Sequence, residues 1–213
     1  MSCAMVSRLI TEAPFVLASS SPRRRRILEG LDLEFTVEHP GVPEDALDGE
    51  APDDHVTRLA LAKATEVAER HKSGTVLGAD TIVLLGGQIL GKPADAADAR
   101  RMLRTTRGRW HEVFSGVGLI RCSDGVSVTG YERTRVLMRD LTDADIDDYV
   151  AGGEPLDKAG SYAIQECGAA VVDRVEGCFY NVVGLPVALM CRMLEELAAT
   201  RYRCDTRGPL EET

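Results

Sequence analysis

The stretch FVLASSSPRRRRILEGL, residues 15–31, decides the fold class. Phe15 to Ser19 is a short apolar run that reads as a buried strand. A serine-proline segment then leads into a helical pattern whose Ile27, Leu28 and Leu31 share one face. Ser20 or Ser21 suits the N-cap, because its hydroxyl can accept from a free backbone N–H. Pro22 suits the first helical position, since its φ is already helical and it has no N–H to leave unpaired. A strand feeding a helix in this way is the building unit of an α/β protein. The same stretch poses a chemical question. Arg23, Arg24, Arg25 and Arg26 crowd the first turn, the positive end of the helix dipole, where each cation costs roughly 0.3–1 kcal/mol. Free N–H groups, serine hydroxyls and guanidinium forks converge there, a combination that suits an anion such as phosphate. The alternative is a solvated basic turn.

Working outward, residues 1–13 read as a loose leader and 34–40 as a second strand. Residues 41–54 are a polar loop, and 54–71 a long helix. TVLGADTIVLL (75–85) is a strand, Gly86-Gly87 a hairpin turn, and 95–106 a helix capped by Asp95. Two long strands, 109–120 and 126–139, meet at Ser123-Asp124-Gly125. LTDADIDDYVAGG (141–153) is a capped helix, 169–175 a strand and 185–199 the final helix, ahead of a polar tail at 201–213. This order predicts an α/β protein with at least one antiparallel hairpin in its sheet, organised as one domain over 14–200.

Composition narrows the function. The 213 residues, 44% hydrophobic, suffice for one sizeable core or two lobes. A net charge of −9 argues against a nucleic-acid partner, so the arginine cluster is a local feature. The six cysteines (3, 122, 167, 178, 191 and 204) form no CxxC and no zinc spacing, which predicts reduced thiols in a cytoplasmic protein. No secretory signal and no membrane span are expected.

Four further features carry chemistry. On a wheel of the 54–71 helix, Val56, Leu59, Ala60, Ala64 and Val67 form an apolar stripe with Lys63 in its middle. That lysine either snorkels to the core edge or emerges into a cleft to meet an anion. Asp80 interrupts an apolar strand, which is costly without a partner or a task. Gly78 before it permits close approach of another group; the alternative is an aspartate capping a turn. GGQILGKP (86–93) imitates a phosphate-binding P-loop but ends in Pro93 where the metal-holding Ser/Thr belongs, so a P-loop is rejected. Lys92, fixed between a glycine and a proline, remains a phosphate ligand candidate. In DKAGSYAIQECG (157–168), the Gln165 amide can both donate to and accept from a base edge. His111 lies in a strand and is read as structural.

The blocks ASSSPRRRRIL, RLALAKA, GADTIVLLGGQILGKP, MLRTTRGRWHEVFSGV, KAGSYAIQ and NVVGLP occur in that order. Together they resemble the Maf family, the septum-formation-inhibitor-like nucleoside triphosphate pyrophosphatases, over roughly residues 14–198. The resemblance implies an inosine-triphosphatase-like elongated mixed sheet with two lobes around a central cleft. It implies hydrolysis of a nucleoside triphosphate to monophosphate and pyrophosphate with a divalent cation (Mg²⁺, Mn²⁺ or Co²⁺), nucleotide-pool sanitising, and a homodimer. Residue by residue it places phosphate binding on Ser19, Arg23, Arg24, Lys63 and Lys92. It places catalysis on Asp80, metal binding on Glu44 and Asp80, and base selection on Arg23, Thr81 and Gln165. Whether Asp80 is general base or chiefly metal ligand stays open. Arg25 and Arg26 match no required position and read as helix-surface residues.

The KAG…IQ block resembles the branch linked to thymidine and uridine triphosphates, with one departure: Glu166 stands where that branch has glycine. The alternatives are the branch linked to 7-methylguanosine triphosphate and a non-catalytic nucleotide-binding regulator of cell division. If the arginines face a triphosphate, removing Arg24 is expected to cost the empty protein little stability, or to raise it slightly by relieving the dipole clash.

Overall fold

The computed structural model describes residues 4–205; residues 1–3 and 206–213 lie outside it. Strand β1 (Phe15–Ala18) runs into helix α2 (Pro22–Gly30), as residues 15–31 predict, with Ser21 as the N-cap accepting from the Arg24 N–H. Ahead of them, the segment expected to be loose carries a one-turn helix, α1 (Ala4–Ser7), whose Val6 is buried in the core. Glu12 then fastens it, accepting from the Gly74 N–H at 2.9 Å and from the Ser123 hydroxyl at 2.7 Å. The signal is three apolar residues, Val6, Leu9 and Ile10, and one carboxylate, too few to establish a helical period.

Strands β2 (Thr36–Glu38) and β3 (Thr75–Leu85) flank β1 and run parallel to it, joined through α2 and through α3 (Pro52–Ala68). The rest of the sheet is antiparallel: β3 pairs with β4 (Gln88–Leu90) and β5 (Trp110–Arg121), β5 with β6 (Ser127–Met138), and β6 with β7 (Val172–Glu176). The order is β2-β1-β3-β5-β6-β7, with β4 on the free edge of β3. Helix α4 (Ala96–Thr106) starts on the Asp95 cap, and α5 (Asp143–Ala151) on a Thr142–Asp145 capping box. The short helix α6 (Phe179–Val183) carries no sequence pattern of its own, and α7 (Val187–Asp205) closes the chain. The polar tail expected over 201–213 lies, beyond Asp205, outside the described residues. No helix among the described residues is long and apolar enough to cross a membrane, and Cys122, Cys167 and Cys178 are free thiols.

Two core clusters share the long strand β3. Leu77 and Ala79 belong to the first, with Leu17, Leu28, Leu185 and Leu194; Val83 and Leu85 belong to the second, with Leu103, Val136 and Ile146. The opposite face is covered by α3, which lies directly on glycines. A Cβ on Gly78 would sit 2.1 Å from the Ala60 carbonyl oxygen, and one on Gly116 would sit 2.1 Å from that of Val56. Gly116 is the register partner of Asp80, and Gly78 pairs with Gly118. The glycine ahead of Asp80 therefore admits a whole helix, and that helix brings Lys63 to the aspartate.

Candidate active site

Strand β1 pairs with β3 as far as Gly78, and β4 takes up the same edge only at Val83. Residues 79–82 thus face a gap where β1 has ended, beyond the C-terminal ends of parallel strands, where α/β sheets place their ligands. The gap opens into a cleft of about 350 Å³, within the size range of small-molecule sites. Its lining includes Ser19, Arg23, Arg24, Glu44, Lys63, Asp80, Thr81, Lys92 and Gln165, so every residue assigned to the site from sequence meets there.

At its floor the Lys63 ammonium donates to Asp80 Oδ1 at 2.7 Å and pairs with Glu44 Oε1 at 2.5 Å. Lys63 and Asp80 are buried, whereas Glu44 is 64% exposed, reaching in from the 39–51 loop. Partial burial works against the Glu44 carboxylate, but the Lys63 hydrogen bond and the charges of Lys63, Lys92 and Arg24 hold its pKa below the usual range. Asp80 Oδ2 carries no hydrogen bond among the described residues. The Glu44 loop is fastened along α3. Glu66 accepts from the Gly41 N–H, while Arg58 donates to the Asp45 carbonyl and to both oxygens of Glu50, which also meets His55 at 2.8 Å. That clamp escaped sequence reading, because its members are ordinary charged residues scattered over a loop and a helix.

The arginine cluster divides in three, with Arg23 lining the cleft. Arg25 pairs with Glu29 one turn on, and Arg26 with Glu166 at 3.1 Å, both on the surface as expected. Arg24 turns inward and is buried. Its Nε donates to the Gly184 carbonyl (2.8 Å), Nη1 to Ser19 Oγ (3.2 Å) and Nη2 to Thr81 Oγ1 (3.0 Å). Every one of those acceptors is neutral. Burial lowers the Arg24 pKa, partly offset by the charges of Asp80 and Glu44. Its side chain ties α2 to β3 and to the 181–186 turn, which bears against the expectation that removing Arg24 costs the empty protein little stability. That turn is built for the purpose. Gly184 has φ +121°, a conformation that L side chains rarely adopt. Asn181, fully buried, donates to the Val113 carbonyl and to Thr134 Oγ1. Ser115 links Asn181 to Thr81, accepting from the Thr81 hydroxyl at 2.8 Å and donating to the Asn181 carbonyl.

Arg23, Arg24 and Lys92 have no carboxylate within ion-pair distance among the described residues. Outside the cleft, Arg58, Arg70, Arg100, Arg101, Arg104 and Arg107 each pair with one. In an acidic protein, three unmatched cations around one cavity are an arrangement that suits an anion. Lys158, quoted in a sequence motif but given no role, joins the wall, donating to Asp157 Oδ1 and the Glu154 carbonyl. Gln165 stands exposed at the rim, its amide unpartnered among the described residues. His111 is structural: its Nε2 meets Tyr162 Oη at 2.7 Å, and burial lowers its pKa to about 4.

Glu44 and Asp80 suit a divalent cation in part. Both are hard oxygen donors converging on one ammonium nitrogen, and no group of three or more His, Cys, Asp or Glu residues with metal-site geometry exists among the described residues. Two carboxylates completed by phosphate oxygens and water are the usual way magnesium is held.

A family model described as Maf-like protein matches residues 14–197. Among curated relatives, the dTTP/UTP pyrophosphatase of Bacillus cytotoxicus is 50% identical over 182 residues, covering 85% of this chain and 94% of that one. Those of Geotalea uraniireducens and Dictyoglomus thermophilum are 46% and 42% identical, covering 86% and 85% of this chain and 95% of each relative. The solved structure of the Staphylococcus aureus Ham1 protein aligns with a TM-score of 0.41 at 14% identity, covering 59% of this chain and 72% of that one. With the family match spanning the sheet and the cleft, the chain belongs to the Maf family.

Proposed function

We propose that this protein hydrolyses nucleoside triphosphates, dTTP and UTP foremost, to the nucleoside monophosphate and pyrophosphate. The observation that carries the reading is the set of unmatched cations, Arg23, Arg24 and Lys92, ringing a buried lysine–aspartate pair. The names of the relatives point to the same substrates.

In the bound complex, Arg23, Arg24, Lys92 and the N-terminus of α2 neutralise the phosphates. Arg24 has one further N–H on each terminal nitrogen to offer, beyond those given to Ser19 and Thr81. A water attacks the α-phosphorus, the bond from that phosphorus to the bridging oxygen breaks, and pyrophosphate leaves. Asp80 accepts the water's proton at Oδ2, while Lys63 holds Oδ1 and fixes the carboxylate plane. Glu44 and Asp80 would hold Mg²⁺, Mn²⁺ or Co²⁺, which when bound supplies further neutralisation of phosphate charge. Positioning and charge stabilisation do most of the work in such a transfer. Gln165 pairs through one donated and one accepted hydrogen bond with the O4/N3–H edge common to uracil and thymine, and Thr81 acts by holding Arg24. The test is a panel of nucleoside triphosphates, 7-methylguanosine triphosphate included, with kcat/KM measured for each. The pyrimidines of the uracil type should lead; preference for the methylated purine would move the chain to the other branch.

A further inference from the structure

An exposed amide can select a base only if the backbone beneath it is held still. Gln165 has no side-chain partner among the described residues, so its aim depends on the turn that carries it. That turn is closed from behind by two residues, Tyr149 in α5 and Glu154 just beyond it. The Ala163 N–H, two residues before Gln165, donates to Tyr149 Oη at 3.1 Å. The Tyr149 hydroxyl donates in turn to Glu154 Oε1 at 2.9 Å. The same carboxylate accepts from the chain on the other side of Gln165: the Cys167 N–H reaches Oε2 at 3.1 Å and the Gly168 N–H reaches Oε1 at 3.0 Å. One phenol and one carboxylate thus fasten the backbone two residues before and two and three residues after the glutamine.

The closure leaves no slack. A Cβ on Gly168 would lie 2.1 Å from the Ala163 carbonyl oxygen and 2.7 Å from Tyr149 Oη. Between the fastened points Glu166 is held at φ +57°, a left-handed conformation that a non-glycine residue does not take unaided. Tyr149 is 8% exposed, and burial raises the pKa of its phenol, which keeps the hydroxyl proton available to Glu154. Neither Tyr149 nor Glu154 lines the cleft.

We propose that Tyr149 and Glu154 are positioning residues for base selection, setting the turn from which Gln165 reads the nucleobase. The inference rests on the reading that Gln165 contacts the base. The Glu154 carboxylate does the task because it alone offers enough acceptor sites for two backbone N–H groups and a phenol together. Glutamine in its place keeps the size but leaves one oxygen to accept all three, and phenylalanine at 149 removes the link to Ala163 while keeping the ring.

The experiment uses the full chain carrying Glu154→Gln, Tyr149→Phe, Gln165→Ala and the Glu154→Gln/Gln165→Ala double substitution, with kcat and KM measured on dTTP and ATP. Each single variant should lower the ratio of kcat/KM for dTTP over ATP by about tenfold or more. For the two clamp variants the loss should lie in KM for dTTP, with kcat within about threefold of the parent. The double variant should lose no more selectivity than Gln165→Ala alone, since the clamp acts through that residue. A purely structural role would depress both substrates equally and leave the ratio unchanged, which overturns the proposal. If Glu154→Gln does not fold, the milder Tyr149→Phe decides alone by the same ratio. A ratio unmoved by Gln165→Ala overturns the reading of Gln165 itself. A ratio moved by Gln165→Ala but by neither clamp variant overturns the clamp only.

Discussion

Replacing Arg24 by alanine tests whether the arginine serves only the substrate or also the fold. Three hydrogen bonds from a charged donor go with it, to the Gly184 carbonyl, Ser19 Oγ and Thr81 Oγ1. Each is worth about 1.5–3 kcal/mol when the donor is charged. Against this stands the cost of keeping a guanidinium out of water, several kcal/mol, with no carboxylate in contact to offset it. Two of the acceptors are not orphaned, because Ser19 Oγ still accepts from the Ser21 N–H and Thr81 Oγ1 keeps Ser115. Only the Gly184 carbonyl loses its principal donor, retaining a long contact to Thr81 at 3.4 Å. Adding the packing of the lost buried stem, the net destabilisation should be about 2 kcal/mol. For a chain of this size that is a fall in Tm of about 4–8 °C. Calorimetry without ligand measures it, and a second scan with excess pyrophosphate should stabilise the parent but not the variant. Arg24→Met, which keeps much of the stem and removes the buried charge, should lose less. A Tm for Arg24→Ala equal to or above that of the parent would refute this reasoning and show that relief of the helix dipole outweighs the three hydrogen bonds.

Asp80→Asn should keep the fold and lower turnover by about 10²–10⁴-fold, the range for a positioned proton acceptor; near-parental turnover at saturating metal contradicts both roles considered for Asp80. Gly78→Ala should abolish soluble folding or lower Tm steeply, since its Cβ would meet backbone atoms of α3 rather than a side chain that can turn away; a mild shift would mean that α3 can lift off the sheet. Stability should rise with pH between about 4 and 6.5 through His111, whose folded pKa is near 4. The unfolded chain binds the proton more readily across that window, so the contribution, on the order of 3 kcal/mol, is complete above the unfolded value and lost as pH falls toward 4. Denaturant titrations at pH 7 and pH 5 on the parent and on His111→Gln check the sign, the variant showing the smaller drop.

Much of this architecture is written locally. Residues 15–31 announce strand, cap and helix because each signal acts within a turn of the chain: the apolar run, the Ser21 hydroxyl, the fixed φ of Pro22. TVLGADTIVLL gives β3 to the residue, and the Ser123-Asp124-Gly125 turn gives the β5–β6 hairpin. Lys63 and Asp80 stand out as polar residues in apolar settings, and the structure sets the Lys63 ammonium on Asp80 at the cleft floor. The parallel pairing of β1 with both neighbours is a long-range property with no local mark. The short helix α6 and the docking of α1 likewise depend on partners far away in the chain. Within the arginine cluster, Arg25 and Arg26 read as surface residues, but the buried tie of Arg24 is hidden, because Gly184 and Thr81 arrive from distant parts of the chain. Glu154 and Tyr149 leave no sequence signal beyond their types, since their partners are backbone N–H groups.

The most direct test of the central claim is to follow dTTP hydrolysis by the intact protein with a divalent cation and resolve the phosphorus products by chromatography. A cleft that holds the whole triphosphate over Asp80 should yield thymidine monophosphate and pyrophosphate in equal amounts from the first turnovers, with both products lost in Asp80→Asn. Release of thymidine diphosphate and orthophosphate as the primary products would place the attack at the terminal phosphorus and contradict the account.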